Sequence, residues 1–445
     1  MSPRPRGTVP RWSATNPTLC PAGKGRADPW LLVSALAPPV YITGLGIGLP
    51  DRVLANEQIE RGMPWLDTSA DWIREHTGIR QRHVAAPTQQ ATDLGYTAAV
   101  EALQLARCPP ETIDLVLLAT NTAHLVYPAG AALIQDQFRT AAGKPAMLRA
   151  TAFDMQQGCA SFVGAIAVAA AMLRSGTCDR ILVVGADIGT RMVDWSERNA
   201  VLLGDGAAAC VMSRELPEPR GQVPALEVLA TFMRTIPDRD SISQRGVLDT
   251  RNDPFQHMEY GASLPGRVCR DSLYARLATP ESAAEQYRLF RMDGHKVYRF
   301  VRRTVPAIGY VEVMQRAGLV PKDLPADARG ETLDAVAHKV DRFVPHGANM
   351  FLNQELADQM RIPYERMAIT LQDYANTSAA SVGLTLHRLL RREVRYGTIA
   401  KRDPQGNITV PERTIAVDPV RAGQVALLLS FGAGTSWNYV VTRAV

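Results

Sequence analysis

From residue 40 onward, short runs of aliphatic and β-branched residues alternate with longer stretches rich in alanine and leucine. The runs at 113–120, 181–187, 207–213, 341–346 and 425–431 are short and almost continuously apolar, which predicts strands buried on both faces. The stretches at 92–106, 162–176 and 379–393 repeat apolar residues at helical spacing and predict helices, the first of them opened by Thr92 as its cap. Strands and helices in this alternation define an α/β fold with internal sheets. The most apolar helical stretch, 162–173, contains Gly164 and ends at Arg174. It falls short of the ~18 residues of a membrane span and predicts a buried helix.

The pattern also repeats. In the first half a strand ending DLVLLAT leads to Asn121, Thr122 and His124; FDMQQGCAS and its helix follow, then the strand ILVVGAD. In the second half DRFVP leads to His346, Gly347 and Asn349; ITLQDYANTSAAS and its helix follow, then VALLLSF and Gly432, Ala433 and Gly434. Two copies of one topology place equivalent strand ends together across a pseudo-twofold axis. The expected organisation is an N-terminal extension over 1–39, one α/β half over 40–215 and a second over 216–445.

Composition narrows the class. With 46% hydrophobic and 21% charged residues over 445 positions, the chain has ample material for a large core, so it is expected to be soluble. The net charge of +5 sits mostly in the tail, where Arg4, Arg6, Arg11, Lys24 and Arg26 face only Asp28. The remainder is nearly neutral and carries no basic stripe of the kind that binds nucleic acid. The tail is proline-rich, lacks the apolar centre of a signal peptide, and is expected to be disordered. The six cysteines form no C-x-x-C pair, which argues against structural zinc and a secreted disulfide framework and favours a reducing cytoplasm.

Cys159 stands out because it lies between a predicted strand and a long apolar helix. A thiol there meets the unpaired N–H groups and the positive end of the helix, which favour thiolate, and Gly158 allows the sharp turn that presents it. Cys178 and Cys210 read as buried structural thiols, as most cysteines of such chains are. His346 follows a strand end, where either a solvated or a catalytic role fits. Asn376 fits an N-cap, yet it matches Cys159 in the duplicated pattern. Together the three form one nucleophile and two hydrogen-bond donors. Gly44, Gly46 and Gly48 read as a loop that follows a strand but runs into Leu49 and Pro50 rather than a helix, so no dinucleotide site is expected. Gly204, Asp205 and Gly206 read as a tight turn, and the glycines around Ala433 as a turn or a source of backbone N–H.

These residues, in this order, resemble the β-ketoacyl-acyl-carrier-protein synthase III family of the thiolase superfamily. The resemblance runs through ITGLGIGLPDRVLANEQIE, DTSADWIREHTGIRQRHVA, MQQGCASF, LLGDGAAA, RFVPHGAN, YANTSAASVG and FGAGTSW. It implies two α/β halves in a five-layered αβαβα arrangement, a homodimer, and a catalytic triad of Cys159, His346 and Asn376. Cys159 would take an acyl group from acyl-CoA while the N–H groups of Cys159 and Ala433 hold the oxyanion. A malonyl thioester, on acyl carrier protein or CoA, would then lose carbon dioxide, with His346 and Asn376 stabilising the enolate that attacks the acyl-cysteine. No metal or redox cofactor is implied. The resemblance further places Trp72 and Arg198 beside the adenine of CoA, Asn349 along the pantetheine tunnel, and Tyr127 in a neighbouring subunit's acyl pocket.

Departures qualify it. His76 replaces the family's arginine before Thr77, Gly347 a glutamine, and Gly383 a proline. The stretch after His346 lacks Lys and Arg until Arg361, although Lys296, Arg299 and Arg303 share one helical face that can dock a carrier protein. Extra sequence lies at about 231–286, 324–337 and 395–420. Inserted loops at a tunnel mouth alter substrate choice, which favours a specialised condensing enzyme of fatty-acid or polyketide type. Three alternatives are an acyltransferase acting on a hydroxyl or amine, a non-decarboxylative condensing enzyme, and a silent partner subunit.

Overall fold

The computed structural model describes residues 38–217, 223–238, 242–243, 291–326 and 328–445. The 1–39 extension up to residue 37, Cys20, Cys269 and most of the 231–286 insertion lie outside the described residues. Nine strands form one hydrogen-bonded sheet. They are β1 (Tyr41–Gly48), β2 (Leu115–Ala119), β3 (Thr151–Met155), β4 (Arg180–Ile188), β5 (Asp205–Ser213), β6 (Leu226–Asp238), β7 (Arg342–Pro345), β8 (Val425–Gly432) and β9 (Gly434–Ala444).

The order β3-β2-β4-β5-β1 continues into β6-β9-β8-β7, joined where Tyr41 and Ile42 pair with Glu227 and Leu226. Numbered within each half, the strands run 1-5-4-2-3 in the first and 1-5-4-2 in the second. There a parallel bridge from Phe343 to Met367 stands where the third strand would be. Strands β2, β3 and β4 are mutually parallel, as are β7 and β8, and the remaining pairs are antiparallel.

Six helices position the site: α1 (Ala70–Thr77), α2 (Ala91–Ala106), α3 (Ser161–Arg174), α4 (Gly294–Arg303), α5 (Met350–Gln359) and α6 (Ser381–Arg391). Helices α3 and α6 touch strands of both halves and each other, so they form the middle layer. On the outer faces, α2 covers β1, β4 and β5, and the helix Tyr310–Arg316 covers β6 and β9. The result is the αβαβα layering that the resemblance implies.

Three expectations are corrected. Gly44, Gly46 and Gly48 lie inside β1, where α2 crosses so closely that a Cβ on Gly46 would stand 2.2 Å from the Ala98 carbonyl oxygen. Helix α2 begins at Ala91, not at a Thr92 cap; its first turn is closed by Asp93, whose Oδ2 accepts from the Gln90 N–H at 2.8 Å. Asp205 is not in a turn but opens β5, fully buried, where its carboxylate accepts from Ala85 N–H, Thr190 N–H and Thr190 Oγ1. Burial pushes its pKa up to about 6 against those bonds.

Candidate active site

The turn after β3 carries Cys159 two residues ahead of α3. Ser161 closes it: its Oγ accepts from Gln157 N–H at 2.7 Å and donates to Gly158 O at 2.5 Å. Gly158 has φ +58°, and a Cβ there would stand 2.7 Å from Ala433 N, while one on Gly432 would stand 2.5 Å from Cys159 N. The two glycines let the Cys159 turn and the β8–β9 turn press backbone to backbone. No backbone acceptor takes the N–H of Cys159 or Ala433 among the described residues.

The thiol is not held as the expected thiolate. Enclosure in protein pushes its pKa up to about 11, and Asp187 pushes the same way. The Ser378 hydroxyl, 3.4 Å from Cys159 Sγ, pulls in the opposite direction without overcoming burial.

His346 follows β7 and is 1% exposed. Its Nδ1 pairs with Ser381 Oγ at 2.5 Å, and its ring meets Phe431 edge-on with centroids 5.2 Å apart. Burial depresses its pKa to about 3, so the imidazole is neutral at physiological pH. With Nδ1 accepting from Ser381, the proton resides on Nε2, which becomes a donor.

Asn376 is clamped on both sides. Its N–H donates to Leu202 O at 2.9 Å, its carbonyl accepts from Gly204 N–H at 3.0 Å, and its Oδ1 accepts from Ser378 N–H at 2.9 Å. The amide NH2 is thereby the free end of the side chain. The helix expected at 379–393 forms as α6, entered through a single 3-10 turn, Ser378–Ala380, whose N-cap is Thr377 rather than Asn376.

Cys159, His346 and Asn376 line one cavity of about 870 Å³ together with Phe431 and Gly432. Of the other expected contacts, Asn349 lines the same cavity; its Oδ1 accepts from Phe351 N–H at the start of α5, and its Nδ2 donates to His76 O. Trp72 and Arg198 come together outside the lining: the guanidinium stacks over the indole at 4.7 Å and bonds Asp67, and His76 stacks on the same indole. Tyr127 stands 83% exposed beside Val126, away from the cavity. Lys296, Arg299 and Arg303 are exposed on α4, whose Gly294, His295 and Tyr298 reach the mouth. No cluster of metal-binding side chains occurs among the described residues, and no helix there is long and apolar enough to cross a membrane.

Fold and site together define a thiolase-like α/β protein built around a half-buried cysteine that shares its cavity with a histidine and an asparagine. Residues 153–231 match the family described as 3-oxoacyl-[acyl-carrier-protein (ACP)] synthase III, and residues 333–400 match its C-terminal part. The β-ketoacyl-[acyl-carrier-protein] synthase III of Paracoccus denitrificans is 34% identical over 403 residues, covering 90% of this chain and 98% of that protein. That of Cereibacter sphaeroides is 31% identical over 405 residues, with the same shares covered. The crystal structure of 3-oxoacyl-[acyl-carrier-protein] synthase III from Aquifex aeolicus VF5 aligns with a TM-score of 0.65 at 26% identity, over 91% of this chain and 99% of that one. The chain belongs to the β-ketoacyl-[acyl-carrier-protein] synthase III family.

Sequence reasoning missed Ser378, Ser381, Phe431 and the Asp187 network. Asp187 is fully buried at the end of β4 and accepts from Thr120 Oγ1, Asn121 N–H, Asn121 Nδ2, Thr122 Oγ1 and Ala379 N–H. Asn121 Nδ2 also reaches Ser378 Oγ at 3.3 Å, so this carboxylate ties the first half to the turn bearing Asn376. An acidic residue ending an otherwise apolar strand was the available signal.

Proposed function

We propose that the protein is a thioester-dependent condensing enzyme that forms an acyl-Cys159 intermediate and extends it by decarboxylative condensation with a malonyl thioester. The observation carrying this reading is that one half-buried thiol shares its cavity with two neutral donors whose other polar atoms are already occupied. Cys159 Sγ would attack the acyl carbonyl, and the N–H groups of Cys159 and Ala433 would hold the oxyanion. Because the thiol rests protonated, its proton passes to the sulfur of the donor as the acyl–sulfur bond of the donor breaks, so acylation of Cys159 releases CoA as the free thiol. His346 Nε2–H and Asn376 Nδ2–H would then bind the malonyl thioester carbonyl and stabilise the enolate as carbon dioxide departs. Neutral His346 suits this, since it donates a hydrogen bond without giving up its proton.

Acyl-CoA is the proposed starter, and malonyl-acyl-carrier protein or malonyl-CoA the extender, with no metal or redox cofactor. Arg299 and Arg303 of α4 would meet an acidic carrier protein. A second copy of the chain would pair at β3, an edge strand whose Phe153 is exposed, as are Leu125, Val126 and Tyr127 in the loop after β2; Tyr127 would then reach the partner's site. The repeated strand order supports dividing the chain into halves at 40–215 and 216–445.

The test is product analysis. Acyl-CoA plus a malonyl thioester should give a β-ketoacyl thioester and carbon dioxide in equal amounts. Acyl transfer to a hydroxyl or amine, without carbon dioxide release, would replace this reading by that of an acyltransferase.

A further inference from the structure

The extra sequence at 395–420 folds as a β-hairpin. Val394–Gly397 pairs with Thr414–Val417, and Lys401–Arg402 pairs with Ile408–Val410. Its register on the body is fixed by side chains. Gln354 of α5 bonds both backbone groups of Ile399, accepting from its N–H at 2.7 Å and donating to its carbonyl at 3.1 Å. Lys401 pairs with Asp358, Arg413 with Glu365 at 3.1 Å, and Tyr396 donates to Tyr364 O at 2.9 Å. The match to the family's C-terminal part ends at residue 400, as the hairpin leaves the body.

This hairpin is a wall of the catalytic cavity: Gly397, Thr398, Ile399, Ala400, Arg402 and Glu412 line the same space as Cys159 and His346. Three arginines line that space. Arg74 is neutralised by Asp71, Glu75 and Glu412, whereas Arg80 and Arg402 make no ion pair among the described residues, Arg80 feeling the Asp373 carboxylate only at longer range. Arg402 bonds only the Gly406 carbonyl of its own hairpin, through Nη1. Arg80 stands at the hairpin root, its Nη2 3.9 Å from where a Cβ on Gly397 would be. Meanwhile Trp72 and Arg198 are stacked on each other outside the cavity, so Arg198 is not among the charges that face it.

We infer that Arg402 and Arg80 form a receiving site for the phosphate that ends the pantetheine arm of the thioester donor. The inference rests on the thioester reading of Cys159. A guanidinium with free N–H groups is the side chain best suited to a phosphate, and two of them outside any ion pair on the wall of a thiol-bearing cavity select an anion at the end of an extended arm. Coenzyme A and a carrier protein both present phosphate there.

The test compares three donors of one acyl group: acyl-CoA, acyl-phosphopantetheine, and the N-acetylcysteamine thioester, which has no phosphate. Acylation of Cys159 is followed by intact-protein mass in wild type, Arg402→Gln, Arg80→Gln and the double variant. The second-order rate with both phosphate-bearing donors should fall at least about tenfold per arginine relative to the N-acetylcysteamine thioester. Arg402→Lys should recover part of the loss. Equal loss with all three donors, or none with acyl-phosphopantetheine, would overturn the assignment; a loss confined to acyl-CoA would do so too, by moving the contact to the nucleotide. Calorimetric binding of phosphopantetheine against pantetheine reads the site without chemistry. If no donor acylates wild type yet Arg402→Gln abolishes the preference for phosphopantetheine, the thioester reading fails and the phosphate site stands. If that preference is missing in wild type, the phosphate site fails.

Discussion

The Cys159 turn and the Asn376 turn occupy equivalent places in two copies of one strand order, yet they do opposite work. In the first, a glycine at φ +58° opens the backbone and presents a thiol beside N–H groups that no backbone acceptor takes among the described residues. In the second, Ala375 at φ +56° and Ser378 at φ +51° hold a strained backbone that grips Asn376 from both sides. Such positions cost of order 1 kcal/mol each and persist only where surrounding bonds over-determine them. The loops after the second strand of each half diverge in the same way. Asn121 and its neighbours turn inward onto Asp187 and build scaffold, whereas His346 faces the cavity. The repeated strand order thus offers two equivalent positions, and on the proposed reading the first carries the nucleophile and the second the polarising donors.

The largest expected effect comes from removing the donors. His346→Ala or Asn376→Ala should lower the decarboxylative step by about 10²–10³-fold while Cys159 still accepts an acyl group, because the two halves serve different steps. Stopped-flow acylation and carbon dioxide release, measured separately, check this. Comparable loss in both steps would break the division of labour.

Next, Gly158→Ala should slow acylation about 10–100-fold, since the new Cβ would strike Ala433 N and spread the two oxyanion donors. Decarboxylation of malonyl-CoA should change little in the same variant. A weaker effect is expected of Ser381→Ala. Losing the Nδ1 partner frees the imidazole to take the other tautomer and should cost roughly tenfold in condensation. Ser381→Thr, which keeps the hydroxyl, should restore most of it.

The smallest effects concern pH. Alkylation of Cys159 by iodoacetamide should rise with pH and reach no plateau below about 11. His346, depressed to about 3, stays neutral in the native state while the unfolded chain takes up its proton near 6.5. The unfolded state thus binds more protons between those values, so stability falls as pH drops from about 6.5 towards 3. Asp205 has the opposite sign: raised to about 6, it costs stability as pH rises through the window from about 4 to 6. Denaturant unfolding of His346→Gln should show a shallower acid limb than wild type.

Much of the fold was legible because buried strands such as β2, β4 and β8 are continuous apolar runs with little to confuse them. Cys159, His346 and Asn376 were legible because each sits at a strand or helix end with small residues beside it. What lay hidden depended on partners far away in the chain. Glycines 44, 46 and 48 read as loop residues, although α2 demands them within a strand. Asp205 read as a turn because its three donors come from residues 85 and 190. The thiolate expected at Cys159 failed for a similar reason: helix position is local, but desolvation is set by the surrounding fold.

The central claim is that an acyl group rests on Cys159 between two separable steps. Wild type and Cys159→Ala incubated with acyl-CoA, and then with a malonyl thioester, decide it by intact-protein mass. The account predicts one acyl mass on wild type, none on Cys159→Ala, and its disappearance when malonyl thioester is added. An adduct of equal size on Cys159→Ala, or one on wild type that the malonyl thioester leaves in place, would contradict it.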